Sequence, residues 1–178
     1  STEGLPLGLL QAQFSAPEPK SKTDTRPQPS IPIEEKKTFA WIEGLRTCVE
    51  LDKQLPGTRQ ICVMDREADF FELFDEQRKT GKVDLLVRSK HDRVIDDKAG
   101  HLFESVRDSP ICGEMVIQVQ RQSSRTKKSK QQAKPGHVQR SATVAVRYKE
   151  IELRPGVYQK NKAPIKLTVV HVQETIQP

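Results

Sequence analysis

Ile61-Cys62-Val63-Met64 runs directly into Asp65-Arg66-Glu67-Ala68-Asp69-Phe70-Phe71-Glu72-Leu73-Phe74. Four uncharged apolar residues followed by an amphipathic segment predict a buried strand feeding a helix. Asp65 stands at the join. In open α/β sheets, ligands and metals gather at the carboxyl ends of strands, and a carboxylate there suits a divalent cation. Asp is also a favoured helix N-cap, and on the strand-to-helix pattern alone capping is the commoner explanation.

Working outward, the helix extends over 67–79 and closes at Gly81, a C-terminal signal. A strand over 83–89 follows. Upstream, 34–55 reads as a helix. Phe39, Ile42, Leu45 and Val49 recur at three and four, Trp41 and Cys48 widen the stripe, and Pro56-Gly57 ends it. The strand before Asp65 is taken as 59–64. Leu5 to Phe14 reads as a further strand, and 15–33, with Pro17, Pro19, Pro27, Pro29 and Pro32, as a loop or linker. The order strand-helix-strand-helix-strand is an α/β unit. Beyond Arg93 the pattern changes. A short helix is expected at 101–108. Met115–Gln120, Ala142–Tyr148, Ile151–Leu153 and Ile165–Val172 then alternate with period two, as half-buried antiparallel strands do. The expected fold is therefore α+β, with residues 1–93 as an α/β unit and 94–178 as a β-rich one.

Two blocks carry more than pattern. Met64-Asp65-Arg66-Glu67-Ala68-Asp69-Phe70-Phe71 is followed, one helix later, by Val83-Asp84-Leu85-Leu86-Val87-Arg88-Ser89-Lys90-His91-Asp92-Arg93. Together they resemble the DDE transposases of bacterial cut-and-paste insertion sequences. Weaker similarity extends from Gly4–Leu10 to Pro164–Val170. The resemblance implies a partial ribonuclease-H-like core interrupted by a β insertion, and it covers the middle of such an enzyme. Asp65 falls on the family's second catalytic, metal-binding aspartate. Arg88 and Lys90 fall on DNA-contacting positions. The reaction is phosphoryl transfer with two divalent metals. Magnesium or manganese on oxygen ligands is implied for the full-length parent. The family's first Asp and final Glu have no counterpart here. The fragment is thus expected to bind no metal pair and to be catalytically silent alone. Glu67 and Asp69, as first-turn carboxylates, suit the helix dipole better than metal.

Net charge is +6, and it is unevenly placed. Residues 1–93 hold 15 Lys/Arg against 16 Asp/Glu, whereas 94–178 hold 15 against 8. Positive charge gathered in one half points to an anionic polymer as partner. Met115 to Lys149 contains no acid at all. It carries Arg121, Arg125, Lys127, Lys128, Lys130, Lys134, Arg140, Arg147 and Lys149. Its Ser/Lys/Gln-rich middle, with Pro135-Gly136, reads as a long hairpin tip that holds phosphates without reading sequence. A charge run of this kind is otherwise a solubilising loop. Arg88, Lys90 and Arg93 would add phosphate contacts at the strand end. DNA, transposon ends in the family, is the expected partner.

No run approaches the ~20 apolar residues of a membrane helix. The start, Ser1-Thr2-Glu3-Gly4, shows no secretory leader. Cys48, Cys62 and Cys112 lie apart among apolar residues and read as buried, reduced thiols of a cytoplasmic, DNA-associated protein. In the ribonuclease-H-like fold the first strand lies beside the one ending at Asp65. Without it that strand would expose an open edge, so self-association is expected. Two other readings stay open: a non-catalytic nucleic-acid-binding module, and an inactive remnant.

Overall fold

Ile61–Met64 (β1) and Asp84–Val87 (β2) pair in parallel, with Met64 opposite Val87. In the computed structural model the described residues are 8–10, 12, 27, 30–95, 100–123 and 136–175. They contain helices and two separate sheets, an α+β protein. The chain divides into two units, Ser1–His91 with Leu153–Ile165, and Asp92–Glu152 with Lys166–Pro178.

In the first unit, α1 spans Phe39–Asp52 and α2 spans Phe71–Thr80. Ile42 and Leu45 of α1, Leu73 of α2, Cys62, Ala68 and Val83 form the core, and Trp41, Cys48, Met64, Leu85 and Val87 pack around it. Period two therefore splits each strand cleanly. Cys62, Met64, Leu85 and Val87 join the core, while Ile61, Val63 and Leu86 stay 55%, 73% and 58% exposed. The apolar run of β1 predicts burial on both faces, but only one face is covered among the described residues. Trp41 packs on the core, as its spacing predicts. Burial, with Cys48 beside it, pushes the Cys62 thiol up to about 12, which keeps it protonated and inert.

Element ends depart from the sequence expectation for local reasons. Ile33–Glu35 forms a 3-10 turn and Lys36 is extended, so α1 begins at Phe39 rather than at Glu34. It stops at Asp52, short of Leu55, whose helical conformation the following Pro56 disfavours. α2 ends as expected. Gly81 adopts the left-handed conformation (φ 59°), and its N–H donates to the Gln77 carbonyl at 2.8 Å. A Cβ there meets no neighbour but would still be strained. Gly81→Ala should cost ~1 kcal/mol, read as a lower denaturation midpoint with unchanged slope. Of the expected strand Leu5–Phe14, residues 8–10 and 12 are described and form no strand. Its other residues, like most of the Pro-rich segment 15–33, lie outside the described residues.

A second feature of this unit escapes the linear reading. The segment 153–165 belongs with it. Asp75 of α2 is 2% exposed and pairs with Arg78 at 2.5 Å, Lys79 at 3.0 Å and Lys162 at 3.0 Å. Arg78 also donates to the carbonyls of Ala163 and Pro164 at 3.2 and 2.9 Å. Burial alone would raise the Asp75 pKa. Hydrogen bonds from Lys162, Lys79 and Arg78 outweigh it and hold the carboxyl at about 2.

In the second unit, β3 (Ile111–Val119), β4 (Arg140–Leu153) and β5 (Ile165–Glu174) lie in that order in one sheet. β3 and β4 are antiparallel, with Val119 opposite Arg140. The segments Ala142–Tyr148 and Ile151–Leu153, expected as separate strands, are one continuous strand. A register shift between Ile111 and Gly113 displaces Cys112, whose thiol reaches the Val146 carbonyl at 3.1 Å. Cys112 is exposed, not buried as expected, because β3 is an edge strand accessible along most of its length. All three cysteines are free thiols. α3 (Leu102–Arg107) buries Leu102 and Val106 against Ile95 and Ile151, with Leu167 and Val169 alongside. Asp92 caps it, accepting the Phe103 N–H at 2.8 Å.

Candidate metal and nucleic-acid site

Parallel pairing places the ends of β1 and β2 side by side. The Arg88 N–H donates to the Met64 carbonyl at 3.1 Å, so Arg88 is adjacent to Asp65 across the strand ends. Both side chains are exposed. Asp65 has extended backbone angles and caps a 3-10 turn over Arg66–Ala68, its carboxylate accepting the Arg66 N–H at 2.7 Å. The capping and the strand-end readings thus describe the same residue.

The helix expected over 67–79 is corrected here. The 3-10 turn stops at Ala68, Phe70 is extended, and α2 starts at Phe71. Asp69 stands at the break. It is 6% exposed, and one of its oxygens, Oδ2, accepts the backbone N–H groups of Lys90 at 2.7 Å and His91 at 3.0 Å. The sequence expectation for Asp69 is a first-turn carboxylate suited to the helix dipole. Instead it turns inward and ties down the loop after β2. No local signal reveals this, because its partners lie 21 and 22 residues away. Glu67 is exposed on the turn.

At this edge Asp65 ends β1 and Arg88 and Lys90 follow β2, all three exposed, with Arg66 and Glu67 exposed on the turn between. Among the described residues no three His, Cys, Asp or Glu side chains converge as a metal site would need. The donor set does not fit a metal pair, since Asp65 supplies one ligand and Asp69 is occupied by amides.

The remaining basic residues lie in the second unit. Arg93 is half-buried, and its carbonyl accepts the Leu102 N–H at 2.9 Å. The β3–β4 hairpin extends past Val119–Arg140 to a bridge between Gln122 and His137, with reciprocal bonds of 2.9 and 3.0 Å. Arg121 is exposed on this stem. Arg125, Lys127, Lys128, Lys130 and Lys134 lie outside the described residues. Arg140 is held in a two-pronged ion pair with Glu174, which raises the guanidinium pKa and lowers that of the carboxylate. Its charge is already compensated, so it would have to exchange Glu174 for a phosphate.

No described helix is long and apolar enough to cross a membrane. No protein-family model matches this chain, and no curated protein matches it in sequence.

Proposed function

We propose that this chain is the central part of a bacterial DDE transposase, its first unit belonging to a ribonuclease-H-like catalytic core and its second to a DNA-binding β insertion. The observation that carries the reading is the juxtaposition of Asp65 and Arg88 at adjacent ends of parallel strands, on the two blocks that resemble the family. In that reading Asp65 is one carboxylate of a magnesium or manganese site, and Arg88 and Lys90 hold phosphates of the strand being cut. Arg93, Arg121 and the tip residues add non-specific affinity for transposon-end DNA, in the bacterial cytoplasm. The full enzyme needs two further carboxylates for its metals.

One carboxylate assembles no metal pair, so the isolated chain is expected to bind DNA and leave it intact. Purified chain incubated with supercoiled DNA and either metal checks this. Nicking that is abolished by Asp65→Ala would overturn the fragment reading. The engagement of Asp69 by backbone amides favours a second reading, a non-catalytic DNA-binding module. A full-length parent whose DNA cleavage survives Asp65→Ala would decide for that alternative.

Self-association belongs to the same proposal. β1 has a strand partner on one side among the described residues, and Ile61, Val63 and Leu86 expose apolar surface beside its open edge. Sedimentation at micromolar concentration should show dimers. Val63→Lys should shift them toward monomer, while a monomer at all concentrations would remove the idea.

A further inference from the structure

We propose that Asp69 is a positioning residue. Through the amides of Lys90 and His91 it fixes the loop that presents Arg88 and Lys90 to a phosphate beside Asp65. The inference rests on the phosphate-holding reading of that strand end. The β2 ladder ends at Val87, and the Arg88 N–H still bonds to β1. Beyond it the chain would be an unanchored surface loop. Asp69 supplies the missing anchor. Its carboxylate is buried at 6% exposure, and the Oδ2 atom takes two successive amide donors, at 2.7 and 3.0 Å. Hydrogen bonds to an ionised acceptor are about twice as strong as neutral ones. Successive N–H groups converging on one oxygen also define the direction of the chain between them. The same residue ends the 3-10 turn that Asp65 caps, its backbone N–H donating to the Arg66 carbonyl. One short segment, Asp65 to Asp69, therefore carries both the candidate metal ligand and the clamp on the basic loop. The backbone that carries Arg88 and Lys90 is thereby tied to Asp65 through four residues of chain. A held loop loses less entropy on meeting a phosphate than a mobile one does.

The test uses the whole 178-residue chain and duplex DNA. Asp69→Ala should speed amide exchange at Lys90 and His91 by roughly tenfold or more, as loss of a charged acceptor implies. It should also weaken DNA binding several-fold. Asp69→Asn, which keeps an acceptor oxygen, should recover most of both. The combined Arg88→Ala/Lys90→Ala variant should reduce the log–log salt slope by about two, from roughly 0.9 per phosphate contact. Adding Asp69→Ala to it should then cost no further affinity. If the double variant weakens binding but Asp69→Ala and Asp69→Asn leave it unchanged, the positioning role is wrong and the phosphate reading stands. If the double variant binds DNA like the unaltered chain, the phosphate reading of this edge fails and takes the positioning role with it. Should Asp69→Ala not fold, Asp69→Ser carries the comparison: faster exchange at Lys90 and His91 together with weaker DNA binding would support the clamp, whereas unchanged exchange, or faster exchange with unchanged affinity, would overturn it.

Discussion

Asp75→Ala is expected to destabilise the first unit by ~2 kcal/mol, less than the roughly 3–5 kcal/mol of a fully buried ion pair because the orphaned cations reach solvent. Arg78, Lys79 and Lys162 retain 37%, 60% and 32% side-chain exposure, so their loss of a partner is partly relieved by water. Lys162 also lies over the Phe71 ring, its ammonium 5.9 Å from the centroid. A melting temperature lower by about 10 °C should accompany the change. The pH dependence has a definite sign. Asp75 is held at about 2 in the folded state, below the ~3.9 of an unfolded chain. Its contribution is therefore fully present above about pH 4 and is lost as pH falls from there toward 2. Asp75→Asn should flatten that acid limb. Urea melts of both proteins between pH 2 and 7 check this, and equal slopes would show that the three cations contribute nothing through Asp75.

Affinity for duplex DNA is expected to fall about as the fourth power of salt concentration. Four or five phosphate contacts at roughly 0.9 each give a log–log slope near −4, hence a loss of roughly two orders of magnitude between 50 and 200 mM. Changing Lys127, Lys128 and Lys130 together to Ala should flatten the slope by about three. Gln122 and His137, which flank that stretch in the sequence, pair with each other. Arg140 should contribute little to the slope, since Glu174 already neutralises it. Isothermal titration or fluorescence anisotropy over a salt series measures this. A slope untouched by the triple change would make the tip a solubilising loop.

The order β1–α2–β2 is legible in the sequence because each element obeys a local rule. β1 is apolar and short, α2 has a helical stripe, and Gly81 supplies the left-handed stop. The strand ends beside Asp65 follow from the same rules once the pairing is parallel. What stays hidden is non-local. Asp69 reads as a helix-dipole carboxylate, because nothing within a turn of it announces two amides from beyond β2. Cys112 reads as buried because alternation cannot foretell a register shift on an edge strand. The expected break between Tyr148 and Ile151 does not occur, since Lys149 and Glu150 continue β4, Lys149 donating to the Ser105 hydroxyl at 2.6 Å and Glu150 lying exposed. The return of 153–165 to the first unit is carried by ion pairs to Asp75, and charge on a surface-like stretch gives no clue to which distant carboxylate it serves.

That return has a consequence for synthesis on the ribosome. Arg78 and the Ala163 carbonyl it holds are separated by 85 residues of chain. At the usual 5–20 residues per second, the first unit waits roughly 4–17 s for its last piece. Throughout that interval Asp75 has Arg78 and Lys79 but not Lys162, and the whole hairpin of β3 and β4 must emerge before the missing ammonium arrives. The N-terminal unit is therefore begun first but completed only after β3 and β4 of the second unit have been made. A stalled or truncated translation product ending within β4 would carry the metal-ligand candidate Asp65 on a scaffold whose buried carboxylate is still one cation short.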